Sequence, residues 1–584
     1  MPEPLRVLVV GGVAGGASAA ARARRLSETA EIIVFERGPD VSFANCGLPY
    51  HIAGVIPDRK RLLVQTPESL RARFGLDVRV RTEVLRIDRE AKEVVVREAA
   101  SGREYREGYD ALILSPGAEP IRPPVAGADD PRVLTLRNTA DMDRILEIVR
   151  DGRPVKALVV GAGYIGLEMA EALRHRGASV VLVERLPQVM GVADPEMVAP
   201  LHDELRRQGV DLRLGVSVEE FAARGDSLEA RLSDGARVSC GLAILSVGVR
   251  PETRLARDAD LEIGPSGGIR VDAHMRTNDP AIWAVGDAVE VKDLVRDAPA
   301  LIPLAGPANR QGRIAADNIL GRDSVYSGTQ GTAICKVFDL AFAMTGASET
   351  ALKRAGRPYQ RIYVHPADHA TYYPGAQSIS LKLLFDPADG RILGAQAVGK
   401  SGVDKRIDVI ATALRAGMTV FDLEDMELCY APPFGSAKDP INMAGFVASN
   451  VLRGDVALWE PEELAQMSAQ QVLLDVRTPE EFRAGTIPGA ICVPVDDLRA
   501  RIAELPAEKE LLVFCRVGLR GYVAARLLSQ RSFRVRNLSG GYIRYLMWKG
   551  TGASVGAPSE VREEDGRPSS GAPDMAERAT ELTR

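Results

Sequence analysis

Apolar residues recur along this chain in two textures. In the first, an unbroken run of Val, Ile and Leu leads into a glycine-rich turn, an alanine-rich stretch, and a second apolar run closing on glutamate. Residues 6–36 (RVLVVGG…EIIVFE) and 157–184 (ALVVGAG…VVLVE) both carry it. Strands buried on both faces of a parallel sheet read as continuous apolar runs, so each segment predicts a βαβ unit. Residues 111–117 (ALILSPG) and 281–287 (AIWAVGD) predict two more strands ending in tight turns, the second followed by a helix over 311–320. From about residue 331 the texture changes to short strands, SISLKLLF and ILGAQAVG, and a helix near 408–416, which predicts a separate α+β domain. Trp459 and Pro461 open another unit with the strand VLLDVR and the strand–loop–helix LLVFCRVGLRGYVAARLL. After about Thr551 large apolar residues nearly vanish, and residues 553–584 read as a disordered tail.

The chain has 584 residues, too many for one core. With 46% hydrophobic and 26% charged residues it has the balance of a soluble globular protein. Lys+Arg of 74 against Asp+Glu of 79 argues against nucleic acid as a main partner, while leaving room for a local basic pocket. No apolar run reaches the roughly 18 residues of a membrane span, and the N-terminal segment reads as a strand rather than a signal peptide. Six cysteines without paired spacing predict no disulfide framework, and the cytoplasm is the expected compartment.

Gly161, Gly163 and Gly166 form G-x-G-x-x-G between a strand and a helix, with Tyr164 and Ile165 inside the motif. Such glycines permit the turn, admit pyrophosphate and pack helix on strand, while the helix N-terminus favours phosphate. Glu184, closing the second strand, is placed for a ribose 2′-OH and favours NADH over NADPH, although Arg185 follows it. The N-terminal copy, Gly11-Gly12-Val13-Ala14-Gly15-Gly16, departs from the pattern at Val13, and Glu36 again ends its second strand. Two dinucleotide sites in one chain predict a redox relay between a flavin and a nicotinamide.

Cys46, in Ser42-Phe43-Ala44-Asn45-Cys46-Gly47-Leu48-Pro49-Tyr50, has no second cysteine nearby. A flavin enzyme with one thiol must work through a mixed disulfide, a persulfide or a sulfenic acid. The bland alternative is a buried, inert cysteine. Arg22 and Arg25 stand three apart on one predicted helix face and suit phosphates, with a solvated charged face as the alternative.

These segments carry a family resemblance. Gly286-Asp287 resembles the second flavin motif of the two-dinucleotide flavoproteins, and Ser115-Pro116-Gly117 resembles their turn between halves. SFANCGLPYHIAG with GGVAGGASAAARARRL resembles the coenzyme A disulfide reductases, a single-cysteine branch that also includes NADH oxidase and NADH peroxidase. The resemblance implies FAD in the first site and NAD(P)H in the other, with NADH favoured by Glu184 and NADPH the alternative. It assigns cofactor contacts to Gly11, Gly12, Ala14, Gly15, Gly16, Glu36, Arg37, Ser115 and Gly117 in the first part of the chain. Farther on it assigns them to Gly161, Gly163, Tyr164, Ile165, Gly166, Glu184, Gly248, Gly286, Asp287, Pro303 and Ala305. It implies that Cys46 exchanges electrons with a sulfur substrate, and that Ser18, Arg22, Arg25, Ser42, Asn45 and Lys438 contact coenzyme A. HATYYPGAQ and ELCYAPPFGSAKDP match further segments of that family. They imply a homodimer with shared active sites, in which Tyr372 (or Tyr373) and Tyr430 cap the partner's cysteine.

Asp475-Val476-Arg477, Glu480-Glu481-Phe482, Gly485–Ala490 and Gly540-Gly541, in order around Cys515, resemble a rhodanese domain. In that geometry the loop amides, with Arg516 and Arg520, lower the Cys515 thiol pKa and stabilise a persulfide. The spacing CxxxxR is one residue shorter than the loop of the related phosphatases, which argues against phosphate chemistry. Cys240, Cys335, Cys429 and Cys492 read as structural, and Pro366 separates His365 and His369, so no metal site is expected.

The expected fold is α/β with two Rossmann-like dinucleotide-binding domains, an α+β dimerisation domain and a C-terminal α/β rhodanese domain. The expected boundaries are 1–152 and 281–330 for FAD, 153–280 for NAD(P)H, 331–452 for dimerisation, 460–552 for rhodanese and 553–584 for the tail. The function they predict is reduction of coenzyme A disulfide, coenzyme A persulfide or polysulfide, with the rhodanese domain carrying sulfane sulfur. An NADH oxidase cycling Cys46 as sulfenic acid, and a redox-sensing binding protein, are the alternatives.

Overall fold

The computed structural model describes residues 4–149 and 155–552, so the expected tail lies outside the described residues. The chain divides into two compact units. Among the described residues, one lies within 1–194, 201–340 and 344–356, and the other within 195–200, 341–343 and 357–552.

In the first unit, β1 (Arg6–Val10), α1 (Ala14–Leu26) and β2 (Glu31–Glu36) form the expected βαβ unit. With β3 (Asp77–Val80), β4 (Ala111–Leu114) and a later strand, Ile282–Ala284, they build a parallel five-stranded sheet. Its spatial order places Ile282–Ala284 beside β4, then β1, β2 and β3. A second parallel sheet contains β5 (Val133–Leu134), β6 (Lys156–Val160), β7 (Ser179–Glu184), β8 (Asp211–Leu214) and β9 (Leu242–Leu245), in the order β8-β7-β6-β9-β5. Its crossover helix is α3 (Tyr164–His175). Val7, Leu8 and Val9 in one sheet, and Leu158 and Val159 in the other, are fully buried, which is why these strands read as unbroken apolar runs.

The strand at Ile282–Ala284 is β10, and the helix after it is α4 (Ala305–Ile319), six residues longer at its start than the sequence predicts. Gly306 and Pro307 argue locally against helix, yet proline is tolerated in a first turn, where its missing N–H has no partner to lose. α4 packs on α1 so closely that a Cβ on Gly312 would stand 2.1 Å from the Gly15 carbonyl oxygen.

The second unit holds two cores. One is the antiparallel set β11 (Gln360–Val364), β12 (Ile379–Phe385) and β13 (Ile392–Gly399), covered by α5 (Val403–Arg415) and α6 (Pro440–Leu452). The expected segment 331–452 is divided: only Ala341–Ala343 and the residues from Arg357 onward lie in this unit. In the first unit, Phe338 donates its backbone N–H to Glu171 at 2.7 Å, anchoring the earlier stretch to α3.

The other core is a parallel sheet of β14 (Leu458–Trp459), β15 (Gln471–Asp475), β16 (Ile491–Cys492), β17 (Glu510–Phe514) and β18 (Arg534–Leu538), in the order β14-β18-β17-β15-β16. Around it lie α7 (Pro479–Ala484), α8 (Leu519–Ser529) and α9 (Gly541–Lys549). Within this unit the two cores are joined by polar groups: Arg361 bonds Glu462 at 3.4 Å, and Tyr363 donates its backbone N–H to Ser539 at 3.2 Å.

Candidate functional site

Both glycine loops fold alike, despite Val13. Gly11 and Gly161 take φ of +93° and +97°, conformations that disfavour a side chain. A Cβ on Gly16 or on Gly166 would stand 1.9 Å from the carbonyl oxygen of Gly11 or Gly161, so each third glycine admits the helix against its own turn. Each closing glutamate holds its loop: Glu36 accepts from Gly12 (2.9 Å) and Gly38 (2.8 Å), and Glu184 accepts from Ala162 (2.7 Å) and Leu186 (2.8 Å). Gly163 has no neighbour within 4 Å of a Cβ, leaving the approach that a pyrophosphate needs. Tyr164 begins α3, Ile165 is exposed, and Gly248 has φ +115° at the end of the adjoining sheet. Arg185, beside Glu184, is exposed.

At the first site, Ser115 and Gly15 meet where β4 ends, and a Cβ on Gly15 would lie 3.0 Å from the Ser115 hydroxyl. Gly117 has φ +78° and faces the Arg137 guanidinium. Gly286 (φ +83°) donates its N–H to Gln311 of α4 at 2.7 Å, which fixes the turn bearing Asp287. Burial raises the Asp287 carboxyl against the opposing charge of Arg137. A half-buried carboxylate between glycine turns is a fitting acceptor for a polyhydroxy chain. Arg37 is exposed and pairs loosely with Glu252 at 3.6 Å, and Pro303 and Ala305 are exposed at the start of α4.

Cys46 sits in a short 3-10 turn, Asn45–Gly47, leading into α2 (Leu48–Ile52). Its segment hangs on the first glycine loop: Ser42, in the left-handed region at φ +49°, donates its N–H to Gly12 at 2.8 Å. Cys46 is exposed, which removes the reading of a buried inert cysteine. Partial desolvation, then the carboxylates of Glu168 and Asp287, hold its thiol above the ordinary range. Glu168 belongs to α3 and was not singled out from sequence. Burial pushes its carboxyl up to about 7, while a long hydrogen bond from the Tyr50 hydroxyl, 3.4 Å, opposes this. The charge of Glu168 acts on the exposed thiol. The Asn45 side-chain oxygen is buried without a hydrogen-bond partner.

The arginine pair behaves differently from expectation. Arg22 is largely buried and its Nε bonds Asp317 at 2.6 Å, whereas Arg25 is exposed. A packed helix, α4, covers one side of α1, so only Arg25 of the two is presented as a solvent-facing cation. Ser18 bonds Asn309 of the same helix at 2.5 Å.

In the second unit, Tyr372 and Tyr430 are exposed and their hydroxyls lie 2.6 Å apart. Tyr373 instead meets the His369 ring edge-on at 5.8 Å, so the geometry separates the two neighbouring tyrosines. Lys438 is exposed nearby in sequence, just before the N-cap of α6. Cys429 is exposed, Cys492 half-buried, and Cys240 and Cys335 buried.

Cys515 is buried at the end of β17, and the Gly518 N–H (φ +101°) points at its Sγ from 3.2 Å. α8 begins directly afterwards at Leu519. Arg520 faces the Cys515 sulfur but also makes two 2.7 Å bonds to Glu481, so its charge is not free as expected. Arg516 is half-exposed.

Two dinucleotide loops in one unit, an exposed thiol hung on the first, and a second thiol cradled by a backbone amide define a flavin-linked thiol oxidoreductase with a sulfur-carrier domain. Family comparison agrees. The pyridine nucleotide-disulphide oxidoreductase profile matches residues 5–312, its dimerisation domain residues 332–439, and the rhodanese-like domain residues 460–546. The chain belongs to the pyridine nucleotide-disulphide oxidoreductase family and is an oxidoreductase with FAD and NAD(H) sites. Within it, the chain is 38% identical over 444 residues to the coenzyme A disulfide reductase of Staphylococcus aureus, spanning 76% of this chain and 99% of that one. The reduced CoADR-RHD of Bacillus anthracis is 48% identical, with a TM-score of 0.91 over 93% of this chain and 98% of that one. The NAD-dependent persulfide reductase of A. fulgidus is 36% identical, with a TM-score of 0.87 over 93% of this chain and all of that one (100%).

Proposed function

We propose that this protein uses NADH to reduce the sulfur–sulfur bond of coenzyme A disulfide, coenzyme A persulfide or polysulfide at Cys46, and carries sulfane sulfur on Cys515. The exposed Cys46 thiol, fastened to the first dinucleotide loop through Ser42 and Gly12, is the observation that carries this reading.

As a thiolate, Cys46 attacks a disulfide sulfur; a Cys46–S–S–R bond forms, the substrate's S–S bond breaks, and RS⁻ leaves. The electron pair that later splits the mixed disulfide is the chemistry a bound FAD supplies, replenished from NADH. Glu168, whose charge acts on the thiol and whose carboxyl is raised by burial, takes the Cys46 proton in this reading. Tyr372 and Tyr430 of one protomer cap Cys46 of the other in a homodimer and protonate the departing thiolate. Ser18, Arg25, Ser42, Asn45 and Lys438 hold the coenzyme A portion, and the protein works in the cytoplasm.

The discriminating experiment is steady-state NADH oxidation with coenzyme A disulfide, coenzyme A persulfide, polysulfide and oxygen in parallel. A kcat/KM for a sulfur acceptor well above that for oxygen supports the reading. Oxygen as the best acceptor supports the sulfenic acid oxidase instead.

A further inference from the structure

Three arginines surround the loop of Cys515, and two of them carry their own carboxylate. Arg477 is buried and fixed to Asp475 at 2.7 Å, and its guanidinium lies 4.2 Å from the Tyr542 ring centre. Tyr542 in turn donates its backbone N–H to the Cys515 carbonyl at 2.7 Å. Arg520 makes its two bonds to Glu481 in the planar fork geometry, both 2.7 Å. Arg516 makes no ion pair among the described residues.

Glu481 is well placed to hold this arrangement. It stands at the third position of α7, where its N–H bonds the Thr478 hydroxyl (3.3 Å) and its carboxylate accepts the Thr478 N–H (3.0 Å). This capping box fixes its side chain before Arg520 arrives from the next helix. The carboxylate is only 13% exposed, so solvent screens the pair weakly.

We propose that Glu481 is a positioning residue that locks Arg520 across the Cys515 sulfur and, by cancelling its charge, favours singly charged alkyl persulfides over dianionic thiosulfate-type donors. The inference rests on the sulfur-carrying reading of Cys515. With an alkyl persulfide, the Cys515 thiolate attacks the terminal sulfur of R–S–S⁻. A Cys515 Sγ–S bond forms, the donor S–S bond breaks, RS⁻ leaves with the bonding pair, and the negative charge rests on the new terminal sulfur. Thiosulfate follows the same course with sulfite as the leaving group, but brings one more negative charge into a loop whose one unpaired arginine is Arg516. An extra cation near the sulfur therefore helps thiosulfate more than persulfide.

The test uses the full-length, flavin-loaded protein and its Glu481→Gln and Glu481→Asp variants. Sulfur transfer to cyanide is measured with thiosulfate and with the persulfide of 2-mercaptoethanol as donors. Glutamine keeps the acceptor that caps Thr478 but frees the Arg520 charge. Its ratio of kcat/KM for thiosulfate over persulfide should rise roughly tenfold, mainly through a lower KM for thiosulfate, an effect that added salt diminishes. Aspartate keeps the charge and should keep the wild-type ratio. Because both donors meet the same enzyme preparation, a general loss of folded protein cannot move the ratio. An unchanged ratio in Glu481→Gln, or the same rise in Glu481→Asp, overturns the proposal. No transfer from either donor in the wild-type protein would remove the carrier role of Cys515 itself, and the proposal with it, while reduction of coenzyme A disulfide reports separately on Cys46.

Discussion

Glu184, the acidic residue that closes β7, accepts the backbone N–H of Ala162 at 2.7 Å and so ties down the second glycine loop. Its other oxygen accepts from Leu186 at 2.8 Å. Substitutions of Glu184 therefore act on the shape of this loop as well as on its charge.

Glu184→Gln keeps an acceptor for one loop amide while removing the charge that repels a 2′-phosphate. It should raise the ratio of kcat/KM for NADPH over NADH about tenfold or more, with Glu184→Ala showing the same direction and a higher KM for both cofactors. Initial rates with the two cofactors decide it. An unchanged ratio in both variants would place Glu184 away from the ribose.

Tyr372 and Tyr430 share a short hydrogen bond, and that bond raises the Tyr372 hydroxyl above its ordinary range. Tyr430→Phe should lower sulfur reduction by roughly a hundredfold, the common size of a lost proton donor, while NADH still bleaches the flavin at the wild-type rate. Stopped-flow traces of the two half-reactions separate the effects. Equal slowing of both would make the tyrosine structural.

The boundary between what the sequence discloses and what it hides follows from locality. The βαβ units were legible because buried parallel strands need continuous apolar runs. Cys46 and Cys515 were legible because each lies in a short, distinctive segment. Glu168, Gln311 and the Asp317 partner of Arg22 were not, because each comes from an element distant in sequence. Helix α4 began earlier than its pattern suggested, since Gly306 and Pro307 are poor helix formers whose cost is offset by close packing on α1. The Arg520–Glu481 pair joins two motif residues that were each seen, yet no spacing rule links positions so far apart.

Lys382 is fully buried and bonds Glu196 at 2.6 Å, joined by the Tyr363 hydroxyl at 2.7 Å. Burial would raise the Glu196 carboxyl, but the charges of Lys382 and Arg544 and these hydrogen bonds outweigh it and hold it below the usual carboxylate range. Lys382→Met should destabilise the second unit by about 3–5 kcal/mol, because it strands a buried carboxylate. The double variant Lys382→Met/Glu196→Gln should recover part of that loss. Urea denaturation of the variants measures both, and additive losses would argue against a coupled pair.

His365 is buried, and desolvation, followed by the charge of Arg544, lowers its pKa to about 3. The folded state thus favours the neutral ring. That contribution is complete above about pH 6.5 and is lost as pH falls toward 3, by about 1.4 kcal/mol per pH unit once below the unfolded value. The stability of wild type relative to His365→Asn should accordingly fall between pH 7.5 and pH 5. A difference that stays constant over that range would mean the ring does not titrate on unfolding.

The division of labour between the two thiols is the central claim, and crossing two variants with two assays tests it most directly. Cys46→Ser should keep bound flavin yet lose NADH-dependent reduction of coenzyme A disulfide, because the nucleophile is gone. Cys515→Ser should keep that reduction near the wild-type rate and lose sulfur transfer from alkyl persulfide to cyanide. If Cys515→Ser instead abolished reduction of coenzyme A disulfide, the two thiols would form one obligatory chain and the account of independent stations would fail.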